Sequence, residues 1–250
     1  MATSVPLPTF VANPEPSGKG QSSIMDDFMY GTNVASSHVY IRMAFLRKVY
    51  GILSMQLALT TIMGALFIYT PAIKTFVQGS PNLLMLALFL SLGILVALHI
   101  KRTEYPTNMY LLAAFTFVEA YSIGTVVTFY DQAIVLQAFA LTLSVCVGLT
   151  LYTLQSKKDY SSWGAGLFSA LWILVIAGFL HLFFPRNDIM EMGLAVGGAI
   201  LFCLFIVFDT SMLMHKLSPE EYILASINLY LDMINLFLHI LRILSEANKK

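Results

Sequence analysis

Charge is what this sequence has least of. Only 11% of its 250 residues are Asp, Glu, Lys or Arg, against about 25% in an ordinary soluble domain. The acids and bases cancel at 14 each, so the bulk basic field that nucleic-acid binding needs is missing. Cysteine is nearly absent too. Cys146 and Cys203 both sit inside apolar runs and form no Cys-x-x-Cys pair. That excludes a zinc site of the usual spacing; a single disulfide is possible in principle, and buried free thiols are expected. No Gly-x-Ser-x-Gly occurs, which leaves a serine hydrolase unsupported. No Asn-x-Ser/Thr acceptor occurs either, so glycosylation offers no topological marker. No internal repeat is visible, and the inverted-repeat plan of many transporters therefore has no support.

What fills the chain instead is apolar. Hydrophobic residues make up 58% of it, and the mean hydropathy is +0.76. Seven runs approach the roughly 20 residues that cross a bilayer. They lie at about 49–69, 83–100, 108–129, 133–154, 163–184, 189–214 and 222–244. The expected fold is all-α, a polytopic membrane protein built as a seven-helix transmembrane bundle over residues 38–250. Residues 1–37 are polar, carry Pro6, Pro8, Pro14 and Pro16, and lack the apolar core of a signal peptide. They are expected to form a disordered cytosolic tail.

Basic residues divide unevenly between the two sides of such a bundle. One side receives Arg42, Arg47, Lys48, Lys101, Arg102, Lys157, Lys158 and Lys216. The other receives Lys74 and Arg186. The positive-inside rule places the first side, and the N-terminus, in the cytosol. Seven full crossings would then leave Arg242, Lys249 and Lys250 on the far side, against the rule. A last segment that re-enters and returns would not, and the two arrangements stay open here. Ser218-Pro219-Glu220-Glu221 supplies a polar cap, a first-turn proline and two acids, the start signal of the seventh helix.

That seventh segment is the most informative. It carries Asn228, Asp232, Asn235, His239 and Arg242 at steps of 4, 3, 4 and 3, which return to one face of a helix. An ionised Asp facing lipid costs roughly 2.5–3.5 kcal/mol even on the most lenient scale. Other helices should therefore surround this one. The sixth segment carries a second intramembrane acid, Asp209, and the third carries Glu119. Asp209 lies about 9 Å along its helix from His215, and Asp232 about 15 Å from Tyr222, at 1.5 Å per residue. Tilt could bring the two carboxylates together in the cytosolic half. Glu119, near the midplane, could extend the same track, and Asn228, Asn235 and His239 could line it. His239 and Arg242 also fit a bland role as interfacial anchors. The acids could equally hydrogen-bond neighbouring helices and fix register only. Gly193, Gly197 and Gly198 read as a packing signal for a close helix neighbour.

Some of these residues are shared with a known family. The run 41–50 (Ile-Arg-Met-Ala-Phe-Leu-Arg-Lys-Val-Tyr), with Gln56-Leu57, Val135-Leu136-Gln137-Ala138, Phe208-Asp209-Thr210 and the run 225–237, resembles the Bax-inhibitor motif family, in particular its lifeguard branch. The resemblance covers everything after about Ser37. It implies seven helices with the last at the centre. It implies a calcium leak across Golgi or endoplasmic reticulum membranes, pH sensitivity through an aspartate pair, and suppression of apoptosis. Asp209 and Asp232 match that pair. Bacterial relatives set an arginine of the second helix against it. The second span here has only His99, Lys101 and Arg102 at its end.

The expected function is thus a non-enzymatic cation leak. Asp209 and Asp232 would act as ion pathway and pH sensor, binding calcium weakly and in transit. Calcium favours carboxylate and carbonyl oxygens, and acids in a pore select cations. No cofactor is expected. Expected partners are the lipid bilayer, calcium, and apoptosis regulators, calcium-release channels or a second copy. A second reading is a regulator of death signalling that conducts nothing. An intramembrane aspartyl protease is a third, since two acids sharing a proton can activate water. Asp232 follows Leu229-Tyr230-Leu231, however, without the Gly-x-Gly-Asp context of that class, and no Pro-Ala-Leu occurs.

Overall fold

The structure is a computed structural model that describes residues 39–156, 158–181, 183 and 188–249. The expected tail at 1–37, and Lys157, Pro185, Arg186 and Lys250, lie outside the described residues. Among the described residues eight α-helices follow in order: α1 (Val39–Tyr69), α2 (Pro71–Gln78), α3 (Pro81–Ile100), α4 (Thr107–Val127), α5 (Gln132–Gln155), α6 (Gly164–His181), α7 (Asp188–His215) and α8 (Tyr222–Asn248). All but α2 are long and apolar enough to cross a membrane. The chain is an all-α polytopic membrane protein.

Two elements differ from the sequence reading. Helix α1 begins about ten residues before the expected span, because nothing between Val39 and Val49 breaks it. Phe45, Val49 and Leu53 recur every fourth residue and are all buried, so the early turns already pack on the core. After Tyr69 the chain does not loop to the next span. Pro71 starts a short helix, which Gly79 closes with an N–H to the Thr75 carbonyl.

Helix α8 is the hub. It packs against α7, α5, α1 and α4, and Ile223, Ile227, Leu229, Tyr230, Leu236 and Leu241 on it are fully or almost fully buried. Helix α6 is the opposite case and leans mainly on α7. Its Phe168, Trp172, Ile173, Ile176 and Phe179 face outward. In water such a face would drive aggregation, whereas in hydrocarbon it costs nothing.

The antiparallel order brings the start of α1 and the α3–α4, α5–α6 and α7–α8 connections to one end, here called the basic end. Contacts between those loops confirm the alternation. Arg102 pairs with Glu221 at 3.4 Å, and Lys216 with Asp159 at 3.6 Å. The Tyr160 N–H donates to Ser211 Oγ at 3.0 Å, and the Lys48 ammonium sits 3.3 Å from the Tyr222 ring centroid. The Ser161 N–H donates to Asp159 Oδ1 at 2.8 Å. That bond first, with Lys216 and His215 adding to it, holds the Asp159 carboxyl below its ordinary range. Ser218 is the expected polar cap ahead of α8, and with Glu221 it forms a capping box.

Helix α8 then runs through all its 27 residues without reversing. At 1.5 Å per residue that is about 40 Å, enough for a full crossing. The re-entrant alternative is not what the chain adopts. Lys249 pairs with Glu246, which is buried at the end of α8 and offsets part of the positive charge there.

Candidate functional site

Asp209 enters from α7 and Asp232 from α8, the two helices with the most extensive mutual packing. Their carboxyl groups lie within side-chain hydrogen-bonding reach of each other. Asp232 is buried at 6% exposure, and Asp209 is half-buried. Asp232 Oδ2 has no N–H or O–H donor. Two ionised carboxylates so placed would only repel. One proton between them turns the contact into a hydrogen bond that ties α7 to α8. Cys146 of α5 lies close enough to Asp232 for their charges to interact. Cys146 and Cys203 are both free thiols, in one small cluster with Phe202, Ile206 and Leu236.

The rest of the α8 stripe is used unevenly. Asn235 Nδ2 donates to its own helix, to the Leu231 carbonyl at 2.8 Å. His239, two turns beyond Asp232, lies stacked on Phe202 with ring centroids 5.6 Å apart. Its imidazole occupies the space where a Cβ on Gly198 would stand. Of the three glycines expected to admit a neighbour, Gly198 does so, while Gly193 and Gly197 face open space. Asn228 and Arg242 are exposed.

Glu119 does not join the pair. It reaches Ser91 of α3 and lies near Tyr230. Tyr230 and Asp232, two residues apart, point to nearly opposite faces of α8. Around Tyr230 is a second polar group that the sequence reading missed. Its hydroxyl is 2.8 Å from Thr60 Oγ1, and Gln56 Nε2 donates to Thr116 Oγ1 at 3.0 Å. Gln56 and Thr60, four apart in an apolar span, were the signal available for it. Also missed was Tyr50, whose buried hydroxyl has no hydrogen-bond partner. Among the described residues no three or more His, Cys, Asp or Glu gather as a metal cluster. The pair is therefore a two-carboxylate site, suited to a proton or a passing cation.

The family model described as "Inhibitor of apoptosis-promoting Bax1" matches residues 42–249. The chain belongs to this family. It is 57% identical over 233 residues to Protein lifeguard 4 of Mus musculus, covering 93% of this chain and 98% of that one. It is 55% identical over 235 residues to the Golgi anti-apoptotic protein of Vaccinia virus (strain Lister), covering 94% and 99%. Bax inhibitor 1 of Schizosaccharomyces pombe is 43% identical over 224 residues, covering 90% and 84%. The matched segment takes in every long helix but for the first three residues of α1, and both carboxylates of the α7–α8 seam lie within it.

Proposed function

We propose that this protein is a non-enzymatic cation leak of an intracellular membrane, permeable to calcium and gated by protonation of the Asp209–Asp232 pair. The carrying observation is two carboxylates in mutual reach on two transmembrane helices, with no basic group among the described residues set against them as a permanent counter-ion. A cation arriving at the pair can replace the shared proton, since both neutralise the same repulsion. Calcium takes oxygen ligands, and a site of only two acids holds it loosely enough for release. The basic end faces the cytosol, by the excess of Lys and Arg there.

The Golgi membrane is the proposed location and restraint of apoptosis the proposed outcome. Both readings are supported by the Vaccinia relative's name and by the family's description. Lowering the calcium held in the store is the proposed link between leak and survival. Asn235 and His239, on the Asp232 side of α8, are secondary candidates for pathway-facing groups.

Purified protein in liposomes that enclose a calcium indicator tests this between pH 5 and 8. Wild-type protein should pass calcium at a pH-dependent rate. Asp209→Asn and Asp232→Asn should each flatten that dependence. The double variant should add little, because the two sites act as one. A wild-type rate equal to that of empty liposomes would leave the protein as a regulator that conducts nothing. Two single variants that kept the wild-type pH profile would return the acids to helix packing.

A further inference from the structure

Helices α1 and α5 both pack on α8 but make no extended contact with each other. The gap between them is a groove of about 600 Å³, floored by Ile123 and Val127 of α4 and by Met233, Ile234 and Phe237 of α8. Its walls are continuous helix faces. Helix α1 supplies Ala58, Thr61, Ala65 and Tyr69, and α5 supplies Gln132, Val135, Phe139, Thr142 and Cys146. Both sets recur every three or four residues, so each lies along one face of its helix. Ala58, Thr61 and Ala65 are small, and that is what leaves the space. From Tyr69 to Ala58 the α1 wall is about 17 Å long, and from Gln132 to Cys146 the α5 wall is about 21 Å, at 1.5 Å per residue.

The groove is polar at one end only. Tyr69 closes α1 and Gln132 opens α5, at the end opposite the basic one. Deeper in, the polar residues of the α1 and α5 walls are threonines whose hydroxyls are already used. Thr60 and Thr61 donate to the Gln56 and Leu57 carbonyls at 2.9 and 2.8 Å, and Thr142 to the Ala138 carbonyl at 2.7 Å. Walls so satisfied give water little to bond to, and an apolar cavity does not hold it. Ile62, Leu136 and Leu143 line the groove and are also exposed on the outer surface. It therefore opens sideways between two membrane-spanning helices, into the hydrocarbon that bathes them.

We infer that this groove is a lipid site, which takes one acyl chain of a phospholipid from the leaflet at the end opposite the basic one. The groove is continuous with the surface that α1 and α5 show to the bilayer, so the bilayer is the source of its occupant. Its length suits a chain standing in one leaflet, since half of the hydrocarbon core is about 15 Å. Tyr69 and Gln132 fall at headgroup level, where a tyrosine is ordinarily at home. The chain supplies the dispersion contacts that α1 and α5 do not give each other, and it lies directly on α8. The site stands whether or not the protein conducts.

The test uses the full chain in phosphatidylcholine vesicles, with some of the lipid carrying a photoreactive diazirine near the end of one acyl chain. Irradiation in the vesicles should attach lipid to Ile234 and Cys146, buried in the groove, and to Trp172 and Phe179, on the outward face of α6. When the protein is extracted into mild detergent before irradiation, the groove label should remain and the α6 label should be lost. Ala65→Phe puts a ring into the groove. It should lose the groove label and keep the α6 label in vesicles, which also reports an intact bundle. A measurement that needs no groove variant is the reactivity of Cys146 in a Cys203→Ser background, where a water-soluble thiol reagent should leave it unmodified. Groove labelling that survives Ala65→Phe, or that is lost on extraction together with the α6 label, would overturn the site. Displacement of the label by cholesterol would make the occupant a sterol, displacement by oleate a free fatty acid, and ready modification of Cys146 would make the groove water-filled; each of these refutes a phospholipid chain.

Discussion

Gly198 offers the sharpest test of the seam that holds the carboxylate pair. The glycine is buried on α7, and a Cβ added there would fall on three atoms of the His239 imidazole. The ring has little freedom to retreat, because Phe202 is stacked on it. Gly198→Ala should therefore force α7 and α8 apart or drive His239 off its rotamer. Overpacking of this kind costs roughly 1–3 kcal/mol. For a chain of this size each kcal/mol moves Tm by roughly 2–4 °C, so the expected loss is about 2–12 °C in a detergent-solubilised thermal melt. Gly197→Ala is the internal control. Nothing lies within 4 Å of its added Cβ, and alanine favours a helix over glycine by up to about 1 kcal/mol, so Tm should hold or rise. Removing the ring should rescue the clash, so Gly198→Ala with His239→Ala should lose less than the sum of the two singles. An unchanged Tm for Gly198→Ala, or strict additivity in the double variant, would mean that His239 does not sit on Gly198.

The remaining predictions concern the acids. Glu119→Gln should leave the pH profile of calcium leak as in wild-type protein, because Glu119 reaches Ser91 and Tyr230 on the far side of α8 from Asp232; a profile flattened as in the Asp variants would mean that the two polar groups act together. Asp159 should govern the α5–α6 loop in acid. Its carboxyl is held below the ordinary value of about 3.9, so its tie is present above that value and is lost as pH falls through the lowered one. Exchange of the Ser161 amide hydrogen, slow at pH 6, should quicken below that range relative to neighbouring loop amides, and an Asp159→Asn variant should lose this pH dependence.

Much of the fold was legible because lipid punishes polarity so heavily. Seven apolar runs and their basic flanks mark the crossings, and Asp209 and Asp232 stand out as groups that hydrocarbon would not tolerate unpaired. Helical spacing goes no further than saying which residues share a face. It does not say which neighbour that face meets. Glu119 was therefore expected on the track of the pair, whereas it lies beside Tyr230 on the other side of α8. His239 was read as lining or anchor without sight of Gly198. Asn228 shares the stripe's spacing, yet its side chain is exposed. The early start of α1 and the short α2 escaped because a hydropathy window reports the membrane-crossing part of a helix and not its ends.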